Sequence, residues 1–417
     1  MTKKQFSLFT LCLIVFLDFL GYALIFPILT PLFFDSQQSF LPTHYDENLR
    51  TLLFGLVNMS YPAAQFIGAP VIGKLSDNFG RKKMLVLTLF GSVLGNLTFV
   101  IGFSLSNLYI LVFGRLFSGF MGGNAAIANS IVGDLSDEKT KARNYGFIGL
   151  AMGLGIVLGP FMSGRLINQS FELPFNLVLK TSLMTPFYLS TILAVLALVI
   201  VIFVLKEHKI PKNQYKIEFL DSFRILYHSL TNKHLFYIYI ITFLLALSFN
   251  VFIYHLNIYL FHKFQWDSRQ LGDFFAFSGT CLVISLGLIN PIITKKIQSK
   301  YVLTFSLIGM AITIALSVIP QRSITMYGIM PFLALFYGLS QANIAALLST
   351  TAQRVYEGQG EAFGVNQALQ SIVEAITPLL TSFLMILNIL APISFASLSM
   401  FISWIVFLYI FWFRKLN

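Results

Sequence analysis

The chain has 417 residues, of which 56% are hydrophobic and 11% charged, with a mean hydropathy of +0.78. Soluble domains run about 45–50% apolar and about 25% charged, so the composition excludes an ordinary soluble enzyme and a disordered chain. A net charge of +11 in a soluble chain would suggest nucleic acid as partner; here the basic residues lie between apolar runs, and membrane topology accounts for them.

In chain order, Lys3 and Lys4 precede an apolar stretch from Ser7 to Phe33. It is too long for a signal-peptide core and lacks a small-residue cleavage site, so it reads as a retained first membrane helix with a cytoplasmic N-terminus. A membrane-spanning helix needs about 20 mostly apolar residues. Such stretches follow at 52–74, 84–105, 108–133, 144–168 and 184–205, then at 234–260, 271–294, 302–319, 326–353, 362–387 and 393–413. With the N-terminus inside, the cytoplasmic segments carry Lys74, Arg81, Lys82, Lys83, Lys139, Lys141, Arg143, the lysines of 206–233, Lys295, Lys296, Lys300, Arg354, Arg414 and Lys415. The outer side carries only Arg50, Arg165, Lys180, Lys263, Arg269 and Arg322. That asymmetry follows the positive-inside rule and leaves both termini in the cytoplasm. Cys12 and Cys281 fall inside apolar runs and read as small buried residues rather than a disulfide framework.

The polar connection at 206–233 divides the chain into a first six-helix half, 1–205, and a second, 234–417. Within it, Phe219, Leu220, Phe223, Leu226, Tyr227 and Leu230 recur at helical spacing beside basic residues. They suggest a short helix on the cytoplasmic membrane face, the alternative being a flexible linker. The halves form a faint repeat: Gly146 and Pro160 in the fifth helix match Gly364 and Pro378 in the eleventh at an offset of 218 residues. The same offset carries the loop at 73–83 onto the basic loop at 291–301.

The loop after the second helix reads Gly73-Lys74-Leu75-Ser76-Asp77-Asn78-Phe79-Gly80-Arg81-Lys82-Lys83. Its glycines permit a tight turn between closely packed helices, and Asp77 and Arg81 are spaced to pair. This loop resembles the signature loop of the major facilitator superfamily. The resemblance implies a fold of two pseudo-symmetric six-helix bundles, with Asp134 as third member of a charge cluster. There Asp77 would also face the start of the eleventh helix, whose N-terminus favours negative charge, and the cluster would latch the cytoplasmic side. Asn78 departs from the pattern, where a basic residue is common.

The fifth helix carries Gly146, Gly155, Gly159-Pro160 and Ser163-Gly164, with Gly149 and Gly153 as a further small pair. This is similar to the antiporter motif of drug/proton exchangers in that superfamily, Ser163 replacing a usual glycine. Small residues let membrane helices approach closely. Leu17-Asp18-Phe19-Leu20-Gly21 with Ile25-Phe26-Pro27, Gly114-Arg115-Leu116-Phe117-Ser118-Gly119, and Gly358-Gln359-Gly360 before Gly364 resemble the twelve-helix drug/proton antiporters. The run Gly114 to Gly164, and Gly358-Gln359-Gly360 with Gly364, are especially similar to the tetracycline/proton exchangers. Those exchangers carry additional acids or histidines in helices 3, 8 and 9. Here the third helix offers Asn96, the eighth has Asp273 only at its outer end, and the ninth has no ionisable residue, so tetracycline itself is not supported.

An ionisable group in hydrocarbon is costly and is a functional hypothesis by default. Two acids stand deep in predicted helices: Asp18, roughly 17 Å from the cytoplasmic end of the first, and Glu374, roughly 18 Å from the same side in the eleventh. Either is placed to carry a coupled proton. The alternatives are a carboxyl hydrogen-bonded within its own half for Asp18 and a structural polar residue for Glu374. Arg115, about seven residues from the outer end of the fourth helix, is a third relay candidate. His255 reads as a cavity-lining or outer-vestibule histidine. Cavity candidates are Tyr22, Asn58, Tyr61, Gln65, Asn250, Tyr254, Gln341, Asn343, Gln367 and Gln370. Most of the 44 phenylalanines are expected to face lipid or neighbouring helices.

No Walker loop, zinc-ligand spacing or nucleophile elbow occurs, so neither cofactor, metal nor catalysis is expected. The reading is a multi-pass transporter of a small molecule, monomeric, in a bacterial cytoplasmic (inner) membrane, with the proton as coupling ion and the bilayer as its surroundings. Proton-coupled export of a small organic, drug-like compound leads; uptake of a nutrient by symport on the same scaffold is the alternative.

Overall fold

The computed structural model describes all residues except 1–2, 36–38, 137, 168–169, 174–176, 206–232, 320–321, 357–359 and 414–417. The expected surface helix at 206–233 thus lies outside the described residues. The helices are α1 (Lys3–Ala23), α2 (Phe26–Phe34), α3 (Glu47–Phe79), α4 (Arg81–Ser104), α5 (Leu108–Phe120), α6 (Asn124–Leu135), α7 (Glu138–Leu166) and α8 (Thr185–Phe203). After 206–232 come α9 (Lys233–Phe264), α10 (Ser268–Ile284), α11 (Asn290–Thr294), α12 (Ser299–Leu316), α13 (Ile324–Tyr356), α14 (Gly360–Leu387) and α15 (Ala391–Leu408). Among the described residues, eleven helical segments are long and apolar enough to cross a membrane. The second predicted span lies in α3, whose 33 residues reach about 50 Å. It too is long enough to cross, and it carries Asn58, Ser60, Tyr61 and Gln65 along its length. Large apolar side chains such as Phe9, Tyr109, Phe203 and Phe305 lie 60% or more exposed, the pattern of a protein whose outer surface meets hydrocarbon. The chain is a multi-pass integral membrane protein.

Among the described residues four spans predicted as single helices depart from one continuous α-helix, the twelfth only where α15 passes into a π-helical turn at Tyr409–Phe413. The first breaks at Leu24–Ile25 because Pro27 has no N–H to give the carbonyl of Ala23; α2 restarts with proline in its first turn. The fourth breaks at Met121-Gly122-Gly123 without a proline. There the carbonyl of Gly122 accepts from the Gln65 side chain at 2.7 Å, so backbone freed inside the bilayer is satisfied by a neighbouring helix. The eighth span passes from α10 through a π-turn, Ser285–Ile289, into α11, where Pro291 removes a ladder donor. Between the fifth and sixth spans, β1 (Ser170–Leu173) pairs antiparallel with β2 (Leu177–Lys180), Ser170 opposite Lys180. This strand pair was not expected from the residue pattern.

The described residues cluster into two compact units: Met1–Phe219 with Trp266–Ala276, and Leu220–Gln265 with Phe277–Asn417. In the first, α1 packs on α7 and α8, and α5 on α3 and α4, around Leu11, Ile14, Leu85, Leu89, Ile127, Val132, Ala197 and Val201. In the second, α9 packs on α14 and α15, and α12 on α13 and α15.

Close approach is carried by particular glycines. A Cβ on Gly155 would stand 2.8 Å from the backbone nitrogen of Leu20, and one on Gly159 2.5 Å from the Cβ of Ala23. Gly146, Gly149 and Gly153 on the same helix have nothing within 4 Å of that point. The antiporter-motif helix is therefore tight against α1 only over its C-terminal half. Gly155→Ala and Gly159→Ala are each expected to cost about 1–3 kcal/mol by overpacking and to lower the melting temperature of the purified protein. Gly146→Ala should leave it unchanged; equal melting for all three would contradict the packing.

Candidate functional site

The break in the fourth span organises the polar residues of the first unit. Asn124 opens α6, and its Nδ2 donates to Oδ1 of Asp18 at 3.1 Å. Asp18 stands fifteen residues into α1, on the stretch that faces the close-packed glycines of α7. Its carboxyl group lies beside the start of a helix, where the backbone dipoles favour negative charge. On α3, Tyr61 lies beside the same break: a Cβ on Gly122 would come 3.0 Å from its hydroxyl. The Tyr61 ring meets Tyr22 of α1 at 5.3 Å between centroids. The Arg115 guanidinium lies 5.3 Å from the Tyr61 centroid and 6.0 Å from that of Phe99, and Arg115 is 8% exposed. A cation over aromatic faces is attracted by the ring quadrupoles. Asp18, Tyr22, Tyr61, Gln65, Arg115 and Asn124 thus form a connected group around one helix interruption.

The residues read as cavity-lining make these contacts. Gln65 holds the Gly122 carbonyl. Asn58 is buried and donates to the Phe54 carbonyl. Asn343 is 1% exposed and donates to Asn290 Oδ1 and the Leu339 carbonyl, tying α13 to α11. Asn250 donates to the Ala246 carbonyl. Tyr254 is half-buried and Tyr22 is exposed. Asn96, the polar residue of the third span, donates to the Ser190 hydroxyl on α8.

In the second unit, Tyr337 is the centre that sequence reasoning missed. Its ring stacks on Phe249 at 3.5 Å, and its hydroxyl accepts from Gln341 Nε2 at 2.8 Å. Gln367, Gln370 and Glu374 share one face of α14 by helical spacing; Gln367 and Glu374 are exposed and Gln370 half-buried. An aromatic one turn before Gln341 was the available signal. His255 is fully buried in α9 against Tyr259, which removes it from any vestibule.

The signature loop turns at Gly80, whose φ of 105° is a conformation glycine adopts without strain. Gly73 lies within α3 with open space around it, so the turn depends on Gly80 alone. Arg81 Nη1 donates to the Ser76 hydroxyl at 3.1 Å. The side chains of Asp77 and Asp134 lie outside what the structure describes, although their backbones belong to α3 and α6.

At the C-terminal end of α7, Arg165 forms an ion pair with Asp273 of α10 and lies 3.7 Å from the Phe161 ring centroid. Gly164 and Gly272 permit this: a Cβ on either would meet backbone, 2.5 Å from the Ser268 carbonyl oxygen or 2.3 Å from that of Pro160. The motif's last glycine and proline therefore seat the start of α10.

These features define a helical membrane protein with polar groups concentrated at helix interruptions, as in secondary transporters. The sequence profile of the Major Facilitator Superfamily matches residues 11–378, and the chain belongs to that superfamily. It is 36% identical over 171 residues to the class H tetracycline resistance protein of Pasteurella multocida, covering 40% of each chain. It is 24% identical to multidrug resistance protein 2 of Bacillus subtilis (strain 168) across 93% of this chain and 91% of that one. Its structure aligns with that of a D-xylose–proton symporter at a TM-score of 0.71, 16% identity and 98% coverage of both, a likeness of fold.

Arg165 and Asp273 are each about one-third exposed, so their pair is worth up to about 1 kcal/mol. Asp273→Arg is expected to lower thermal stability measurably, and the swap Arg165→Asp with Asp273→Arg to restore most of it. A swap no better than the single variant would show that the pairing does not matter.

Proposed function

We propose that this protein exports a small organic, amphipathic compound in exchange for protons, by alternating access. The observation that carries the reading is the carboxyl group of Asp18, set mid-span at the interruption of the fourth helix and bonded to Asn124. An ionisable group there is expensive unless function requires it. The resistance-protein relatives and the close-packed glycine-proline segment of α7 support export over uptake. The absence of extra acids in α4 and α12, with Asn96 engaged by Ser190, supports a substrate other than tetracycline. Glu374 is the second proton-carrier candidate and Arg115 the relay candidate. Tyr22, Tyr61, Tyr254, Gln341, Gln367 and Gln370 remain substrate-contact candidates.

On this reading residues 1–205 and 234–417 are the two six-helix bundles, joined by 206–233, with both termini in the cytoplasm of a bacterial inner membrane and a monomer as working unit. Gly80, Asp77, Arg81 and Asp134 form the cytoplasmic latch. Asp77→Asn is expected to reduce transport severalfold while membrane insertion stays normal; full transport in that variant would remove the latch from the account.

The central test uses proteoliposomes with an imposed pH gradient. A panel headed by ethidium and tetraphenylphosphonium is first screened for compounds that raise the melting temperature. Uphill flux of those compounds is then compared for wild type, Asp18→Asn, Glu374→Gln and the double variant. Loss of gradient-driven accumulation with downhill exchange retained is expected for the carrier of the proton. If the double variant still concentrates compound, coupling through these acids is wrong. Accumulation in the sense of proton entry, rather than against it, would establish symport.

A further inference from the structure

The Asp18–Asn124 contact has an asymmetry that the proton-carrier reading leaves unused. Asn124 is 3% exposed. Its Nδ2 is committed to Asp18 Oδ1, while its Oδ1 is buried and has no hydrogen-bond partner among the described residues. An acceptor shut away from water without a donor costs free energy of order 1–3 kcal/mol. Asn124 stands beside a group that becomes a donor by gaining one proton. A primary amide and a carboxylic acid can form two parallel bonds. The amide N–H donates to one carboxyl oxygen, and the O–H on the other donates to the amide carbonyl. An ionised carboxylate can make only the first of these, because it has no hydrogen to give.

We propose that Asn124 is the positioning residue for Asp18: its amide N–H holds one carboxyl oxygen, and its side-chain carbonyl accepts a hydrogen bond from the O–H that protonation places on the other. The inference rests on the reading of Asp18 as proton carrier and adds the group that recognises the loaded state. Placement supports it. Asn124 is the first residue of α6, immediately after Gly122-Gly123. Its side chain is therefore fixed by a helix start that Gln65 supports through the Gly122 carbonyl. Protonation of Asp18 then adds a hydrogen bond across the α1–α6 contact, and release of the proton removes it. The other charged and titratable groups on α1 and the elements packed against it are Lys3, Lys4, Cys12 and Tyr22 of α1, Asp134 of α6, Glu138, Lys139, Lys141, Arg143, Tyr145 and Arg165 of α7, and Tyr188 of α8. Arg143 and Arg165 stand near the two ends of α7, Tyr188 near the start of α8, and Tyr22 one turn further along α1. Arg115 of α5 lies against Tyr61 and Phe99.

The test is infrared difference spectroscopy of the full-length protein in lipid across a pH jump. The carboxylic C=O band of protonated Asp18 is assigned by its loss in Asp18→Asn. Asn124→Leu removes both bonds and is expected to move that band to higher frequency. Asn124→Gln retains an amide and should return it toward the wild-type position. Gradient-driven flux should fall in Asn124→Leu more than downhill exchange does. An Asp18 carboxyl that never gives a protonated band overturns the proton-carrier reading, whereas a band that stays in place in Asn124→Leu overturns the role of Asn124 alone. Gradient-driven flux that survives Asp18→Asn instead overturns the proton-carrier reading itself, so the two failures are separate. Melting curves and membrane insertion of each variant exclude misfolding, and a folded Asn124→Gln that behaves as Asn124→Leu also counts against the pairing.

Discussion

Hydrocarbon offers no water to solvate a backbone carbonyl or a carboxylate, so each polar group inside a membrane span must be satisfied by protein. The interrupted fourth span is where this constraint bears hardest. The chain stops being helical at Met121-Gly122-Gly123, and two neighbouring helices supply what the ladder no longer does. Gln65 of α3 satisfies the Gly122 carbonyl, and Asp18 of α1 takes the first side chain of the restarted helix. Removing either partner would leave a buried polar group unpaired, at a cost of about 1–3 kcal/mol. The same residues that stabilise the break thus hold an acid in mid-span, which joins the structural requirement to the proposed chemistry.

Close packing makes the arrangement rigid. Association of helices in lipid gains nothing from hydrophobic transfer and depends on contact. Gly155 and Gly159 bring α7 against the stretch of α1 that includes Leu20 and Ala23. Gly119 and Gly68 do the same between α5 and α3, where an added Cβ would lie 2.2 Å from the Tyr61 carbonyl oxygen or 2.0 Å from that of Phe120. Tyr61, Arg115 and Asp18 therefore sit on three helices whose spacing small residues set.

Much of this was legible in the sequence. Apolar length and the distribution of lysine and arginine gave the spans, and the signature loop and glycine-proline pattern gave the superfamily. Scarcity of acids singled out Asp18 and Glu374. What was not legible depends on partners distant in sequence. Asn124 lies 106 residues from Asp18, and an asparagine in an apolar run does not announce its partner. Polarity alone singled out Gln65 and Asn343, and it could not show that each ties a helix to another helix. The glycines of α7 read alike, yet only those facing α1 or α10 are constrained. The break at Pro27 follows from proline's missing donor. The break at Gly122-Gly123 has no comparable marker, because glycine is common in tightly packed membrane helices.

Proton release on substrate binding tests the central claim most directly, that the mid-span acids exchange a proton for substrate. The protein is reconstituted in everted membrane vesicles, and the pH gradient is followed with a quenched acridine dye as ethidium or another stabilising compound is added. The account predicts that wild type dissipates the gradient on addition and that the Asp18→Asn, Glu374→Gln double variant does not. Dissipation by the double variant equal to that of wild type would contradict it.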